Sequence, residues 1–329
     1  LIEKINSAKE PPLQTLFVSG ANPLYTLPDT QSVKKAFDKI PFVVSFSSYM
    51  DETAANADLI LPNHTYLERY QDVPVTAGFN RPFIGFTQPV VSPQFDTRHV
   101  GDVIIRIAKQ LSGNVGRAFP WDNYETCLKM TLGPIWGTLV DNGFWTDKSF
   151  RPPSWNRVFE TNSSKFEFFA TALINGDAKD ETSLPHFQPA LAEEGKSSFP
   201  LLLVPYDTMR LANDAIGNPP FLTKTVADTI LKGNDLFVEV NPVTAKSRGL
   251  SEGKYAILKT PKGSVKVRVH LFEGIKPGTL AMPKGLGHTA NDPYLAGKGI
   301  NYNEIIGPLK DPVSGLDIAW GTRADLVKA

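Results

Sequence analysis

The sequence has one cysteine, no long apolar run and no net charge, and each shortage removes a class of function. Cys127 is the single cysteine among 329 residues. One thiol allows no intrachain disulfide, no cysteine-cluster zinc site and no iron–sulfur cluster held by this chain alone, since such clusters need about four thiolates. A lone cysteine in an apolar setting reads as a small buried hydrophobe. No run of about 18 apolar residues occurs, so a membrane-spanning helix is not expected. Lys and Arg number 34 against 34 Asp and Glu. A protein that gains affinity by neutralising phosphates carries a basic excess, so nucleic acid is not the expected partner. Catalytic signatures are scarce too. His64, His99, His186, His270 and His288 show no metal-ligand spacing, and the plainer reading of each is a surface or satisfied core histidine. There is no Gly-x-Ser-x-Gly elbow, no Walker loop and no recognisable carboxylate pair, which argues against an independent hydrolase or kinase.

What the chain has in quantity is turn residues, 27 prolines and 25 glycines, the mark of loops and short strands. Its length suggests two domains. Leu1 is not a methionine and no signal-like segment follows it, so processing or truncation is expected to have made this terminus.

Residues 1–112 read as α/β. Leu16-Phe17-Val18-Ser19 is a buried parallel strand that stops at Gly20-Ala21-Asn22-Pro23. Val33, Ala36, Phe37 and Ile40 recur at helical spacing over residues 30–40, with Asp29 or Thr30 as the cap and Pro41 as the stop. Phe42-Val43-Val44-Ser45 is a second strand, residues 50–56 a short helix and residues 57–62 a third strand. Alternation of this kind predicts a right-handed parallel sheet. Residues 97–112 form an amphipathic helix expected to pack on that sheet. Between 113 and 198 the periodicity weakens, and only a helix over 124–132 and a strand over 165–169 stand out of a connecting region dotted with Trp121, Trp136, Trp145 and Trp155.

Residues 199–329 are all-β, with strands over 199–204, 235–240, 255–260, 264–270 and 275–282 and a final strand over 324–328. A short helix runs from Asn241-Pro242 through Ala245 and closes at Gly249. Period-two alternation around Pro261-Lys262-Gly263 marks a hairpin. Short strands at this spacing suggest a small barrel.

Two loops invite a ligand. Gly20-Ala21-Asn22-Pro23 lies at the carboxyl end of a parallel strand, where open α/β sheets bind ligands, although strand-ending turns of this kind also occur for structural reasons alone. The second loop, residues 285–294 continuing to Gly297-Lys298-Gly299-Ile300-Asn301-Tyr302-Asn303, is long, polar and glycine-rich, and such loops are usually functional or disordered.

The ordered combination of Gly20-Ala21-Asn22-Pro23, Phe42-Val43-Val44, Asp51-Glu52-Thr53-Ala54, Ala57-Asp58-Leu59-Ile60-Leu61-Pro62 and Glu68, followed by Val240-Asn241-Pro242, Ala245, Gly249-Leu250-Ser251-Glu252-Gly253 and Ile275-Lys276-Pro277-Gly278, resembles the C-terminal half of the large subunit of the molybdopterin oxidoreductases. That family includes formate dehydrogenases, dimethyl sulfoxide reductases and polysulfide reductases. The resemblance covers residues 15–110 and 199–329. It implies a partial Rossmann-like parallel sheet domain over 1–112, a connecting region over 113–198, and over 199–329 a double-psi type β-barrel that clamps molybdopterin guanine dinucleotide carrying molybdenum or tungsten.

Carried onto this chain, the resemblance sets Gly20, Ala21, Asn22 and Pro23 against one pterin nucleotide. It sets Thr208 and Arg210, within Tyr206-Asp207-Thr208-Met209-Arg210, near the cofactor. His288, Asn291, Asn301 and Asn303 become polar contacts from the late barrel loop. No catalytic or metal-ligating residue is assigned, because the family's iron–sulfur cysteines and metal ligand lie upstream. The chain departs from the family at Ser45-Phe46-Ser47-Ser48-Tyr49, where an acidic residue is usual. It departs again at Asn63-His64-Thr65-Tyr66-Leu67-Glu68-Arg69-Tyr70, where formate dehydrogenases carry Gly-Thr-x-x-Asn. These departures, with Gln88-Pro89-Val90-Val91 and Asp311-Pro312-Val313-Ser314-Gly315, look more like the polysulfide reductase branch and its relatives in membrane quinone-reductase complexes. The resemblance thus implies two-electron chemistry and, as partners, the N-terminal remainder of the subunit, an iron–sulfur electron-transfer subunit and a membrane quinone-binding subunit. It also implies an extracytoplasmic, periplasmic location. Two alternatives stand beside it: a molybdenum-free scaffold subunit of the same fold, and an independent two-domain binding protein.

Overall fold

The computed structural model describes the chain except residues 76–77, 155–157, 169–196, 212–216, 218, 291, 312–314 and 319–320. The polypeptide forms two compact units, one of residues 1–60 with 188–329 and the other of residues 61–187. The division differs from the three consecutive segments expected, because the barrel shares a unit with the N-terminal sheet and the position 112/113 falls inside the other unit.

In the first unit, strands β1 (Leu16–Val18), β2 (Val43–Ser45) and β3 (Leu59–Ile60) form a parallel sheet in that order. The helix Thr30–Phe37 starts where Asp29 caps it, its carboxylate accepting from the Ser32 amide, and Val33, Ala36 and Phe37 turn inward onto Val18 and Val43. The third strand is shorter than expected, since Pro62, two residues past its end, has no amide to extend the ladder. Asp58 secures its entry by accepting from the Val43 amide at 2.7 Å. The helix expected over 50–56 is one 3₁₀ turn, Ala54–Asn56, because Asp51 Oδ1 caps the Ala54 amide at 2.7 Å and Ala57 is already extended. A further helix, Ile2–Ser7, buries Ile5 against the same cluster.

The second unit carries an antiparallel sheet of β4 (Gln71–Val75), β5 (Phe83–Thr87) and β6 (Phe144–Thr146). Its core joins Phe86, Leu128 and Leu139 to Trp136 and Trp145. Within residues 113–198 the expected helix is present as Tyr124–Leu132, but the region is less irregular than expected: helices Gly113–Ala118 and Trp136–Asn142 are present too, and Trp136 and Trp145 pack against the core. The amphipathic helix runs over Val100–Leu111, starts later than expected because His99 caps it, and belongs to this unit rather than to the parallel sheet. Residues 165–168 form no strand; Phe169, Trp155 and Asn291 lie outside the described residues.

The barrel comprises β7 (Leu201–Tyr206), β8 (Leu231–Lys232), β9 (Asp235–Val240), β10 (Tyr255–Thr260), β11 (Gly263–Leu271), β12 (Thr279–Pro283) and β13 (Thr322–Lys328). Strands β11, β10, β13, β7, β12 and β9 follow one another and the β9–β11 pairing closes a ring of six, with β8 appended to β9. The β9–β11 and β7–β12 pairs are parallel, the others antiparallel. Closure leaves no free edge within the ring. Alternation along β10 buries Ala256, Leu258 and Thr260 and turns Tyr255 and Lys259 outward. The buried set also holds Leu203, Val238, Val267, Leu280 and Leu326. Burying each large aliphatic side chain contributes about 1.5–3 kcal/mol, which makes this core the main source of stability.

Candidate cofactor site

Strand β1 ends in an open turn. Gly20 has φ +63°, a conformation that favours glycine, and a Cβ there would meet nothing within 4 Å. Gly20 and Ala21 are exposed, and among the described residues no hydrogen bond engages their amides. The next residue turns inward. Asn22 is fully buried, donates from Nδ2 to Glu52 Oε2 at 2.7 Å, and accepts at Oδ1 from the Thr53 amide at 3.1 Å and the Thr53 hydroxyl at 2.7 Å. Pro23 opens the helix Pro23–Thr26, which buries Leu24 and Tyr25.

The barrel loop meets this turn through one carboxylate. Glu52 Oε1 lies 3.1 Å from His288 Nδ1 and accepts from the amides of Thr289 at 2.8 Å and Ala290 at 3.2 Å. The imidazole of His288 stacks on Tyr25, ring centroids 3.9 Å apart and planes 14° off parallel, while the Tyr25 hydroxyl donates to the Leu286 carbonyl at 2.8 Å. Asn301 and Asn303 both donate from Nδ2 to the Tyr25 carbonyl, at 2.8 and 3.0 Å. Burial alone would raise the Glu52 pKa, but hydrogen bonds from His288 and Asn22 and the field of the imidazole outweigh it and bring the carboxyl to about 2. Burial drives the Tyr25 phenol upward, and the charges of Glu52 and Glu304 add to that.

Of the expected contact residues, Asn22, His288, Asn301 and Asn303 thus come together around Tyr25 and Glu52, each bonding inside the protein through at least one side-chain nitrogen. Gly20 and Ala21 face outward beside them. Among the described residues Thr208 and Arg210 make no hydrogen bond to that cluster; they occupy an exposed turn after β7, where the Thr208 hydroxyl accepts from the Arg210 amide at 3.2 Å and the guanidinium donates to the Thr225 carbonyl. Glu52 and Tyr25 had not been singled out as site residues. Glu52 lies in the Asp51-Glu52-Thr53-Ala54 block, but the partners of the two residues are 30 and more than 230 positions away in sequence, so no local pattern gives either this role.

A cavity of about 190 Å³ lies at this junction, lined by Tyr25, Gln31, Lys34, Glu52, Asn56 and Thr289 among others. It is smaller than the roughly 300–1,000 Å³ usual for small-molecule pockets. The second unit has its own polar pocket, where His64 Nδ1 lies 2.6 Å from the Thr97 hydroxyl and Glu68, 7% exposed, accepts from the amides of Thr65 and Gln94. Among the described residues no group of three or more His, Cys, Asp or Glu could hold a metal ion, and no helix is long and apolar enough to cross a membrane.

Comparison with known proteins decides what the two folds are together. Residues 1–110 match the molybdopterin oxidoreductase family model, and residues 223–318 match that of the molydopterin dinucleotide binding domain. Residues 1–110 and 223–318 thus carry the two domain signatures of the molybdopterin oxidoreductases. Among the relatives of this chain, the menaquinone reductase molybdopterin-binding-like subunit of Nitratidesulfovibrio vulgaris is 31% identical over 99% of the chain and 43% of its own length. The thiosulfate reductase molybdopterin-containing subunit of Salmonella typhimurium is 25% identical over 96% of the chain and 43% of its own length. Acetylene hydratase from Pelobacter acetylenicus superimposes with a TM-score of 0.80 at 20% identity, over the whole chain and 46% of that structure, and so shares the fold. The chain spans under half the length of these three proteins.

Proposed function

We propose that this chain is the nucleotide-holding portion of a molybdopterin-dependent oxidoreductase subunit that moves two electrons between a small or quinone-linked substrate and iron–sulfur centres. The observation that carries the reading is the end of β1. It is a parallel-strand terminus with an open, glycine-led turn, bonded through Asn22 and Glu52 to the barrel loop of a dinucleotide-binding domain. Open α/β sheets bind nucleotides at such termini, and a glycine without a Cβ neighbour lets a phosphate or base approach the backbone closely. The unengaged amides of Gly20 and Ala21 suit the oxygens of a guanine dinucleotide, so the donor set fits the group. Arg210, with Thr208 beside it, is the cationic contact expected on the barrel side. When bound, the cofactor supplies the redox chemistry through its molybdenum or tungsten. Asn22, His288, Asn301 and Asn303 act one layer back, holding the loops that touch it. The remainder of the subunit, an iron–sulfur subunit and a quinone-binding membrane subunit complete the proposed assembly, on the extracytoplasmic face.

A second reading, a molybdenum-free scaffold in a quinone-reductase complex, has one observation in its favour. Polar side chains at the junction of sheet and barrel, Asn22, Glu52, His288 and Asn301 among them, bond within the protein, so the contact between turn and barrel loop forms without a ligand. Metal analysis and pterin extraction on the intact subunit, purified with its partners, separate the two. Metal near one per chain together with pterin supports the enzyme, and their joint absence supports the scaffold.

A further inference from the structure

We propose that Glu52 is the positioning residue of the cofactor face, the carboxylate that fixes the turn after β1 and the barrel loop in one mutual arrangement. The inference rests on the reading of that face as cofactor-binding. Four donors from two distant segments converge on the carboxylate: Asn22 Nδ2 on one oxygen, and His288 Nδ1 with the Thr289 and Ala290 amides on the other. Bonds to an ionised acceptor are roughly twice as strong as neutral ones. Among the described residues no Lys or Arg pairs with Glu52, so these bonds are what holds its charge.

The linkage has no slack on either side. Asn22 is clamped by Thr53, which follows Glu52 in sequence, and His288 is clamped by the stacked ring of Tyr25. Directly beyond these anchors the chain turns outward, at Gly20 and Ala21 on one side and at Thr289 on the other. A displacement of either exposed turn therefore acts on the same carboxylate. Glu52 is itself buried, which suits an anchor and not a group that touches substrate.

The test uses the intact subunit with its partners and reads amide hydrogen exchange at Thr289 and Ala290, with the β7–β12 ladder as internal reference, together with pterin content. Glu52→Ala should speed exchange at the two amides roughly ten- to hundredfold relative to the ladder, the equivalent of losing a buried hydrogen bond. Glu52→Gln keeps an acceptor for those amides but sets its NH₂ against the NH₂ of Asn22, so it should loosen the linkage while the barrel stays folded. Asn22→Asp combined with Glu52→Gln restores donor-to-acceptor pairing with the charge moved to position 22. It should recover protection and pterin retention that Glu52→Gln alone loses, a rescue that a merely bulky structural role would not produce. Unchanged exchange in Glu52→Ala, or a double variant no better than Glu52→Gln, overturns the proposal. A wild type that holds no pterin but shows the predicted exchange pattern overturns the cofactor reading instead and leaves the linkage standing.

Discussion

The loop that carries His288 is predicted to fail at a single atom. Gly287 has φ +77°, and a Cβ built there would fall 2.0 Å from the Asn301 amide nitrogen and 2.3 Å from the Ile300 carbonyl carbon. Real Cβ contacts essentially never fall below 3.0 Å, and both neighbours are backbone, so no side chain can rotate aside. Gly287→Ala must push residues 300–301 away. That movement breaks the Asn301 bond to the Tyr25 carbonyl and disturbs the Gly287 amide bond to the Lys298 carbonyl at 2.7 Å. Left-handed strain of about 1–2 kcal/mol, overpacking and a lost buried hydrogen bond together cost roughly 4–6 kcal/mol. Gly20→Ala is the control, since it has the same left-handed strain but open space for the methyl, and should cost only about 1–2 kcal/mol. For a unit of this size each kcal/mol moves the melting temperature by about 2–4 °C, so Gly287→Ala should melt roughly 8–24 °C lower. Thermal unfolding, with hydrogen exchange to locate the loss in the barrel loop, reads both variants. Equal destabilisation by the two alanines would refute the reasoning, because only one of them meets backbone.

Other expectations follow from the same contacts. Glu52 has its folded pKa depressed from 4.5 to about 2, so its stabilisation is present above pH 4.5 and is lost as pH falls through 2. The shift corresponds to about 3 kcal/mol, and acid titration should show a shallower loss of stability between these values in Glu52→Gln than in wild type. Asn241 caps the helix Pro242–Ser247 by accepting from the Val243 amide at 2.9 Å and donates to the Ile275 carbonyl at 2.8 Å. Asn241→Ala should cost about 1–3 kcal/mol in denaturant unfolding, and Asn241→Asp less, since it keeps the cap. Leu203→Ala removes a fully buried side chain from the barrel and should cost about 2–5 kcal/mol, whereas Leu316→Ala, at 69% exposure, should change unfolding very little.

The barrel could be read from the chain because period-two alternation is imposed by a closed sheet with one buried face, and β10 and β11 show it in nearly every residue. The parallel strands were legible for a different reason: short apolar runs bounded by Gly20 and Pro41 leave little else for them to form. The unit over 61–187 was hard to see. Its strand β4 contains Pro74 and β5 contains Gly85, which blur the pattern, and its small core is flanked by partly buried tryptophans that read equally well as surface aromatics. At the site, loop chemistry identified where polar residues gather but not which way they face. Asn22 and Asn301 are buried because their partners Glu52 and Tyr25 arrive from other segments, and that is decided by tertiary packing alone. Gly20, whose freedom is a property of its own backbone, kept the exposure expected of it.

The most direct test of the central claim is a density map of the intact subunit, purified with its partners, at a resolution that shows bound nucleotides. The account predicts a guanine dinucleotide with an oxygen within hydrogen-bonding distance of the Gly20 or Ala21 amide. A map in which the turn after β1 contacts only protein or solvent, in a preparation shown by chemical analysis to be free of pterin and metal, would contradict it.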